Sequence, residues 1–315
     1  MMKELTRYIT AKDGIQLFVR IWSPEAAPKA VVQVVHGMAE HSQRYGRLAE
    51  ALCKAGYEVW ADDHRGHGQT VQGGKNAPES GGLLGHCADK DGFNKVVADL
   101  EMISASIKQE RPNLPLFLFG HSWGSFLAQA YIERSGHNLA GCILSGTRGP
   151  GGPEVPVGAA LASLIALIRG CRKFSPLVYN LADGPYNKAF KPNRTNFDWL
   201  SRDEREVDAY VADPLCGFPC SVAFYRDLAR GLQSIHRKEA LDRIPKNLPL
   251  FVFAGSADPV GDMGKSPTKL VEAYKQQGIK DLEFILYPEG RHEMLNEINR
   301  EEVIQNLLAW INRHL

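Results

Sequence analysis

Gly120-His121-Ser122-Trp123-Gly124 is the stretch from which the fold of this chain is read. Ahead of it runs Leu114-Pro115-Leu116-Phe117-Leu118-Phe119, a short apolar segment that reads as a buried parallel strand. Behind it, Ser125 to Arg134 reads as a helix with Phe126, Leu127, Ala130 and Tyr131 on one face. A Gly-x-Ser-x-Gly set between such elements forces the serine into a strained turn. The two glycines remove side chains that would strike the neighbouring strand and helix. The hydroxyl is lifted clear of the sheet, with the unpaired N–H donors of a helix N-terminus behind it. That is the setting of an activated nucleophile, and Ser122 is the first candidate catalytic residue.

Working outward, Arg7 to Trp22 alternates around Asp13-Gly14 and predicts a hairpin. Strands follow at Ala30–Val35, Tyr57–Ala61 and Leu139–Ser145, with helices at Tyr45–Ala55 and Phe93–Glu110. Strand and helix alternating at this spacing give an α/β fold, a mostly parallel sheet with helices on both faces. After Thr147 the pattern stops at Gly149-Pro150-Gly151-Gly152-Pro153, and Val155 to about Phe224 carries no strand signal. It resumes with a strand at Leu250–Ala254, a helix near Pro267–Gln277, a strand at Leu282–Leu286 and a helix from about Glu301 to Arg313. The expected organisation is a core of residues 1–146 and 222–315. A helical cap, residues 147–221, is inserted after the sixth strand, over the sheet edge where ligands bind.

A serine hydroxyl needs a base to take its proton, and the base needs a carboxylate to fix its tautomer. Behind a turn of this kind the acid and then the histidine follow, each from a loop after a strand. The first such loop reads Gly255-Ser256-Ala257-Asp258-Pro259-Val260, and Asp258 lies directly beyond the strand end, with Asp262 in reserve. The second reads Tyr287-Pro288-Glu289-Gly290-Arg291-His292-Glu293, and His292 is its one histidine. An oxyanion needs two preorganised donors. The Trp123 amide supplies one; the loop His36-Gly37-Met38-Ala39-Glu40 supplies the other, at the Met38 amide.

The bulk properties narrow the function. The chain has 315 residues, a formal net charge of +1 and 23% charged residues, so nothing in its charge points to nucleic acid. Met1 to Arg7 lacks the apolar core of a secretory signal, and no run approaches the ~20 apolar residues of a membrane span. A cytoplasmic location is expected. The six cysteines are scattered and are expected as free thiols, with Cys53 and Cys142 serving as small buried hydrophobes. Cys216 and Cys220 lack a matching second pair, so no metal site is assigned to them.

Taken together, these stretches resemble the α/β-hydrolase superfamily, and within it the monoacylglycerol lipase/lysophospholipase branch. The resemblance rests on His36-Gly37-Met38-Ala39-Glu40-His41 with Arg44-Tyr45, on Asp62-Asp63-His64-Arg65-Gly66-His67-Gly68, on the Ser122 stretch, on Ala257-Asp258-Pro259-Val260 and on Gly290-Arg291-His292-Glu293. It implies Ser122 as nucleophile, Asp258 as acid and His292 as base, with Glu40 and Arg44 bracing the oxyanion loop and His121 beside the substrate's polar head. It implies hydrolysis of single-chain lipid esters without metal or organic cofactor, and it makes Asp63, His64 and His67 part of a hydrogen-bonded turn rather than metal ligands. Ser125 and Trp123 depart from the frequent glycine and methionine, and the Trp123 side chain is expected to narrow the acyl pocket.

The run Val155–Ile168 carries no charge, which fits a lid lining an acyl tunnel and touching lipid surfaces, or a cap helix packed on the core. Two other functions remain open. A serine aminopeptidase of the prolyl iminopeptidase type would use Asp203, Glu204 and Glu206 as amine anchors. A non-catalytic binding protein would keep only the fold.

Overall fold

The computed structural model describes residues 2–72 and 82–315. Strands β1 (Lys3–Thr10) and β2 (Gln16–Ser23) form the hairpin, with Gly14 at φ +90° in its turn. Then come β3 (Ala30–Val35), α1 (Gly46–Lys54), β4 (Tyr57–Asp63), α2 (Gly68–Gln72), α3 (Gly92–Glu110), β5 (Leu116–His121), α4 (Trp123–Ser135) and β6 (Gly141–Ser145). Between β6 and the next strand the chain is helical: α5 (Glu154–Arg169), α6 (Pro176–Ala182), α7 (Glu204–Ala212), α8 (Val222–Ser234) and α9 (Lys238–Leu241). An isolated bridge, Phe174 to Ser221, is the β-pairing found there among the described residues. The chain ends with β7 (Leu250–Gly255), α10 (Lys265–Gln276), β8 (Leu282–Tyr287) and α11 (Arg300–Arg313).

The eight strands form one sheet in the order β1-β2-β4-β3-β5-β6-β7-β8, antiparallel through β1, β2 and β4 and parallel from β4 onward. Successive side chains of a strand point to opposite faces, and the core divides accordingly. Val35, Leu118, Leu144 and Val252 pack with α3, α4 and α8 on one face. Val34, Phe119, Ile143 and Phe253 pack with α1 and α11 on the other. β3 and β5 are neighbours at the centre, with Val35 opposite Gly120. The loops after β3, β5, β7 and β8 therefore converge at one edge of the sheet.

Several boundaries shift by one or two residues from expectation, and two of the shifts have a visible cause. Residues Ser42–Tyr45 form a 3-10 turn before α1, because the Ser42 amide donates to Asp63 Oδ1 at 2.7 Å. β6 begins at Gly141, since Gly136–Asn138 makes a 3-10 turn closed by the Leu139 amide on the Gly136 carbonyl.

Candidate active site

Ser122 stands between β5 and α4 at φ +53° and ψ −124°, a region that residues bearing a Cβ rarely adopt. Its amide donates to the Ser145 carbonyl at 2.9 Å, tying the turn to β6. The flanking glycines are required by space. A Cβ on Gly124 would lie 2.1 Å from the Val35 carbonyl oxygen, and one on Gly120 would lie 2.5 Å from that of Gly124. Ser125, one of the expected departures, is fully buried and donates its hydroxyl to the Ser122 carbonyl at 2.5 Å.

Asp258 and His292 come from the loops after β7 and β8. Both are buried, and His292 Nδ1 lies 3.0 and 2.9 Å from the two Asp258 carboxylate oxygens. Burial disfavours the imidazolium, but the charge and hydrogen bond of Asp258, aided by Glu293 and Glu40, outweigh it and raise the His292 pKa. His121 goes the other way. Burial first, and then the neighbouring His292, lower it to about 4, so it is neutral at physiological pH. The reserve acid Asp262 plays no part in this pair.

The loop after β3 is held from both ends. The His36 ring donates from Nδ1 to the Gly37 carbonyl at 2.7 Å and accepts the His64 amide at Nε2 at 3.0 Å. Glu40 accepts the Gly37 amide at 2.5 Å, the Tyr45 hydroxyl at 2.8 Å and Arg44 at 2.7 Å. Arg44 also grips Glu293 through both terminal nitrogens, at 2.6 and 2.7 Å, and its guanidinium lies 4.8 Å from the Tyr210 ring centre. Glu293 directly follows His292, so one buried ion cluster joins the β3 loop to the histidine loop. Sequence reasoning assigned Glu40 and Arg44 but not Glu293; its place next to His292 was the available signal. The Met38 and Trp123 amides have no acceptor among the described residues.

Ser122, His121, His292 and Met38 line one cavity of about 300 Å³. The same cavity is lined by residues of α6 and the segment after it, Tyr179, Asn180, Asp183 and Trp199, with Tyr225 of α8. One expectation and two open alternatives are corrected here. The Trp123 side chain does not narrow the cavity: it is 2% exposed and packs on His67 and Phe224, because the elbow turns it beneath the β4 loop. α5 does not line the cavity either. It seats Ala159 and Ala162 against its neighbours and leaves Leu167 84% and Ile168 72% exposed. Finally, Asp203 pairs with Arg300 at 2.8 Å, Glu206 with Arg47 at 2.6 Å and Glu204 with Arg194 at 3.8 Å, and none of the three lines the cavity.

The other polar motifs also find places. Asp63 accepts the Ser42 and Gln69 amides, while His64 bonds to Asp62 at 2.6 Å and stacks on His36. Asp63 is thus committed to backbone amides. Cys216 and Cys220 remain free thiols, like the other four cysteines. The structure does gather His41, Asp213 and Cys216, whose potential ligand atoms lie within 4.8 Å of one another, a grouping without a sequence signal. In it His41 Nε2 is hydrogen-bonded to Asp213 at 2.9 Å, which ties the β3 loop to the end of α7.

Comparisons with known proteins bear on the family and the fold. The family described as "Serine aminopeptidase, S33" matches residues 26–299. Human monoglyceride lipase is 30% identical over 97% of this chain and 90% of its own length. The monoacylglycerol lipase of Mycolicibacterium smegmatis is 28% identical over 96% of this chain and 95% of its own. Among solved structures, a thermostable carboxyl esterase from Bacillus coagulans in complex with glycerol superposes with a TM-score of 0.90 at 28% identity, covering 99% of both chains. With an α/β fold, a serine at the strand-to-helix elbow and this match along its length, the chain belongs to the serine aminopeptidase S33 family of α/β-hydrolases, among its monoglyceride lipase-like members.

Proposed function

We propose that the protein is a serine carboxylic ester hydrolase acting on single-chain lipid esters of the monoacylglycerol or lysophospholipid class. The observation that carries this reading is that His292, paired with the buried Asp258, lines the same cavity as a strained Ser122. With its Nδ1–H donated to Asp258, the neutral imidazole keeps its lone pair on Nε2. His292 takes the Ser122 proton as Oγ attacks the ester carbonyl. The oxyanion is held by the Met38 and Trp123 amides, fixed donors that need no reorganisation. His292 then protonates the leaving alcohol, and water activated by the same ring releases the fatty acid from Ser122. Asp258 stabilises the imidazolium throughout. No cofactor takes part.

Residues 147–221 act as the cap in this reading. α6 and the segment after it bound the substrate, while the exposed apolar edge of α5 rests on the lipid surface that supplies it. Glu40 and Arg44 keep the oxyanion loop in place, and His121 faces the head group. The test is kcat/KM on one panel: monoacylglycerols of several chain lengths, a lysophosphatidylcholine, a short-chain aryl ester and a prolyl anilide, with Ser122→Ala as blank. Long-chain monoacyl esters are expected to lead. A leading prolyl anilide, or turnover that survives Ser122→Ala, overturns the reading.

A further inference from the structure

The cavity that holds Ser122 and His292 also carries a carboxylate that the proposed mechanism leaves unused. Asp183 follows α6 directly, and its Oδ2 accepts the Tyr225 hydroxyl at 2.6 Å. Its other oxygen, Oδ1, has no partner among the described residues. The remaining carboxylates of the cavity are spoken for. Glu40 is held by Arg44, Tyr45 and the Gly37 amide, and Glu293 by Arg44 and Asn296. Asp183 has no such cation. Burial raises its carboxyl to about 6, the Tyr225 hydrogen bond lowers it, and no lysine or arginine among the described residues acts on it. Its carboxylate therefore has no cation beside it among the described residues.

A charge drawn out of water is costly unless it is paired. The surroundings fit a cationic partner. Tyr179 and Tyr225 line the cavity beside Asp183, and aromatic faces attract an ammonium group. Trp199 also lines the cavity and packs on His292, with ring centres 5.0 Å apart. The cavity thus carries aromatic side chains both beside Asp183 and beside His292.

We propose that Asp183 is a cation-binding subsite, and that the preferred substrates are carboxylic esters carrying an ammonium group that seats on Asp183 while the ester carbonyl lies at Ser122. The substrate half of this statement rests on the esterase reading of the cavity; the binding half does not. An ion pair of this kind, partly withdrawn from water, is expected to favour the cation over its neutral isostere roughly tenfold.

Two measurements separate the halves. Calorimetric titration of the Ser122→Ala protein with benzylammonium and with benzyl alcohol reads the subsite without any turnover. The ammonium ligand should bind roughly tenfold more tightly, and Asp183→Asn in the same background should bring the two together. Equal binding of the two ligands, which needs no second variant to interpret, overturns the subsite. So does a preference that survives Asp183→Asn. The second measurement is the kcat/KM ratio of octanoylcholine to its neutral carbon isostere in the wild type, expected at roughly ten. A ratio near one overturns the substrate assignment. Failure to hydrolyse either ester would instead strike the esterase reading, leaving calorimetry to decide the subsite.

Discussion

Asp258 and His292 meet face to face, both carboxylate oxygens lying 3.0 and 2.9 Å from the same ring nitrogen across 34 residues of chain. This arrangement fixes the tautomer and opposes the burial that would otherwise favour a neutral ring. kcat/KM is therefore expected to fall with decreasing pH, with its midpoint above the ordinary histidine value of 6.5. In Asp258→Asn burial dominates: the midpoint should drop below 6.5, with the rate cut roughly 10⁴-fold. The stability effect has the opposite direction. A raised folded-state pKa stabilises the protonated form, so the contribution is complete below 6.5 and is lost as pH rises through the folded value. Urea titrations across that window should show this slope in the wild type and not in Asp258→Asn.

Ser122 sits at φ +53°, where glycine is free of strain and alanine is not. Both Ser122→Ala and Ser122→Gly should lose roughly 10³-fold or more in kcat. Ser122→Gly should in addition be more stable than Ser122→Ala by about 1 kcal/mol. Thermal unfolding of the two variants side by side checks this; the reverse order would mean that the turn stores no strain.

Arg44 neutralises two buried carboxylates at once. Arg44→Met should cost about 3 kcal/mol at neutral pH by leaving Glu40 and Glu293 without a cation. Burial alone would raise the Glu293 carboxyl, but Arg44 outweighs it and lowers the pKa. The stability this brings is present above about 4.5, the ordinary glutamate value, and fades as pH falls through the folded value. The gap between wild type and variant, read by denaturant unfolding, should narrow on acidification. A gap independent of pH would contradict the electrostatic account.

Gly124→Ala should fail to give folded protein, since its Cβ would meet the Val35 carbonyl oxygen at 2.1 Å. Gly158→Ala is the contrasting case. Nothing lies within 4 Å of that position inside α5, so the substitution should stabilise by about 0.5–1 kcal/mol through helix propensity. Soluble yield and melting temperature report both.

Leu167→Glu with Ile168→Glu should reduce turnover of vesicle-borne substrate more than that of a soluble aryl ester. Equal loss on both would remove the lipid-surface role of α5.

Much of this was legible in the chain itself. β5, the elbow and α4 followed from an apolar run, two glycines and a 3.6-residue periodicity, because these features act over a few residues. The loops bearing Asp258 and His292 were found in the same way, each directly beyond a buried strand. Glu293 was missed because a charged residue next to a histidine has no periodic signature. Asp183 was missed because nothing local distinguishes it from a solvated helix end. Trp123 was placed against the cavity on size alone, and α5 was left open between a tunnel lid and a packed cap helix on apolarity alone, properties that draw a side chain inward without specifying where.

The sequence by itself determined the parallel sheet, the sharp turn at Ser122, and the placing of Asp258 and His292 in loops directly after strands. Periodicity and backbone sterics are local, and they write themselves into neighbouring residues. Tertiary structure alone decided which polar groups face one another. It joined Arg44 to Glu293, turned Trp123 away from the cavity and left one Asp183 oxygen open to it. Those outcomes depend on the packing of loops far apart in the chain, where burial and the pairing of charge are settled only once the sheet has brought them together.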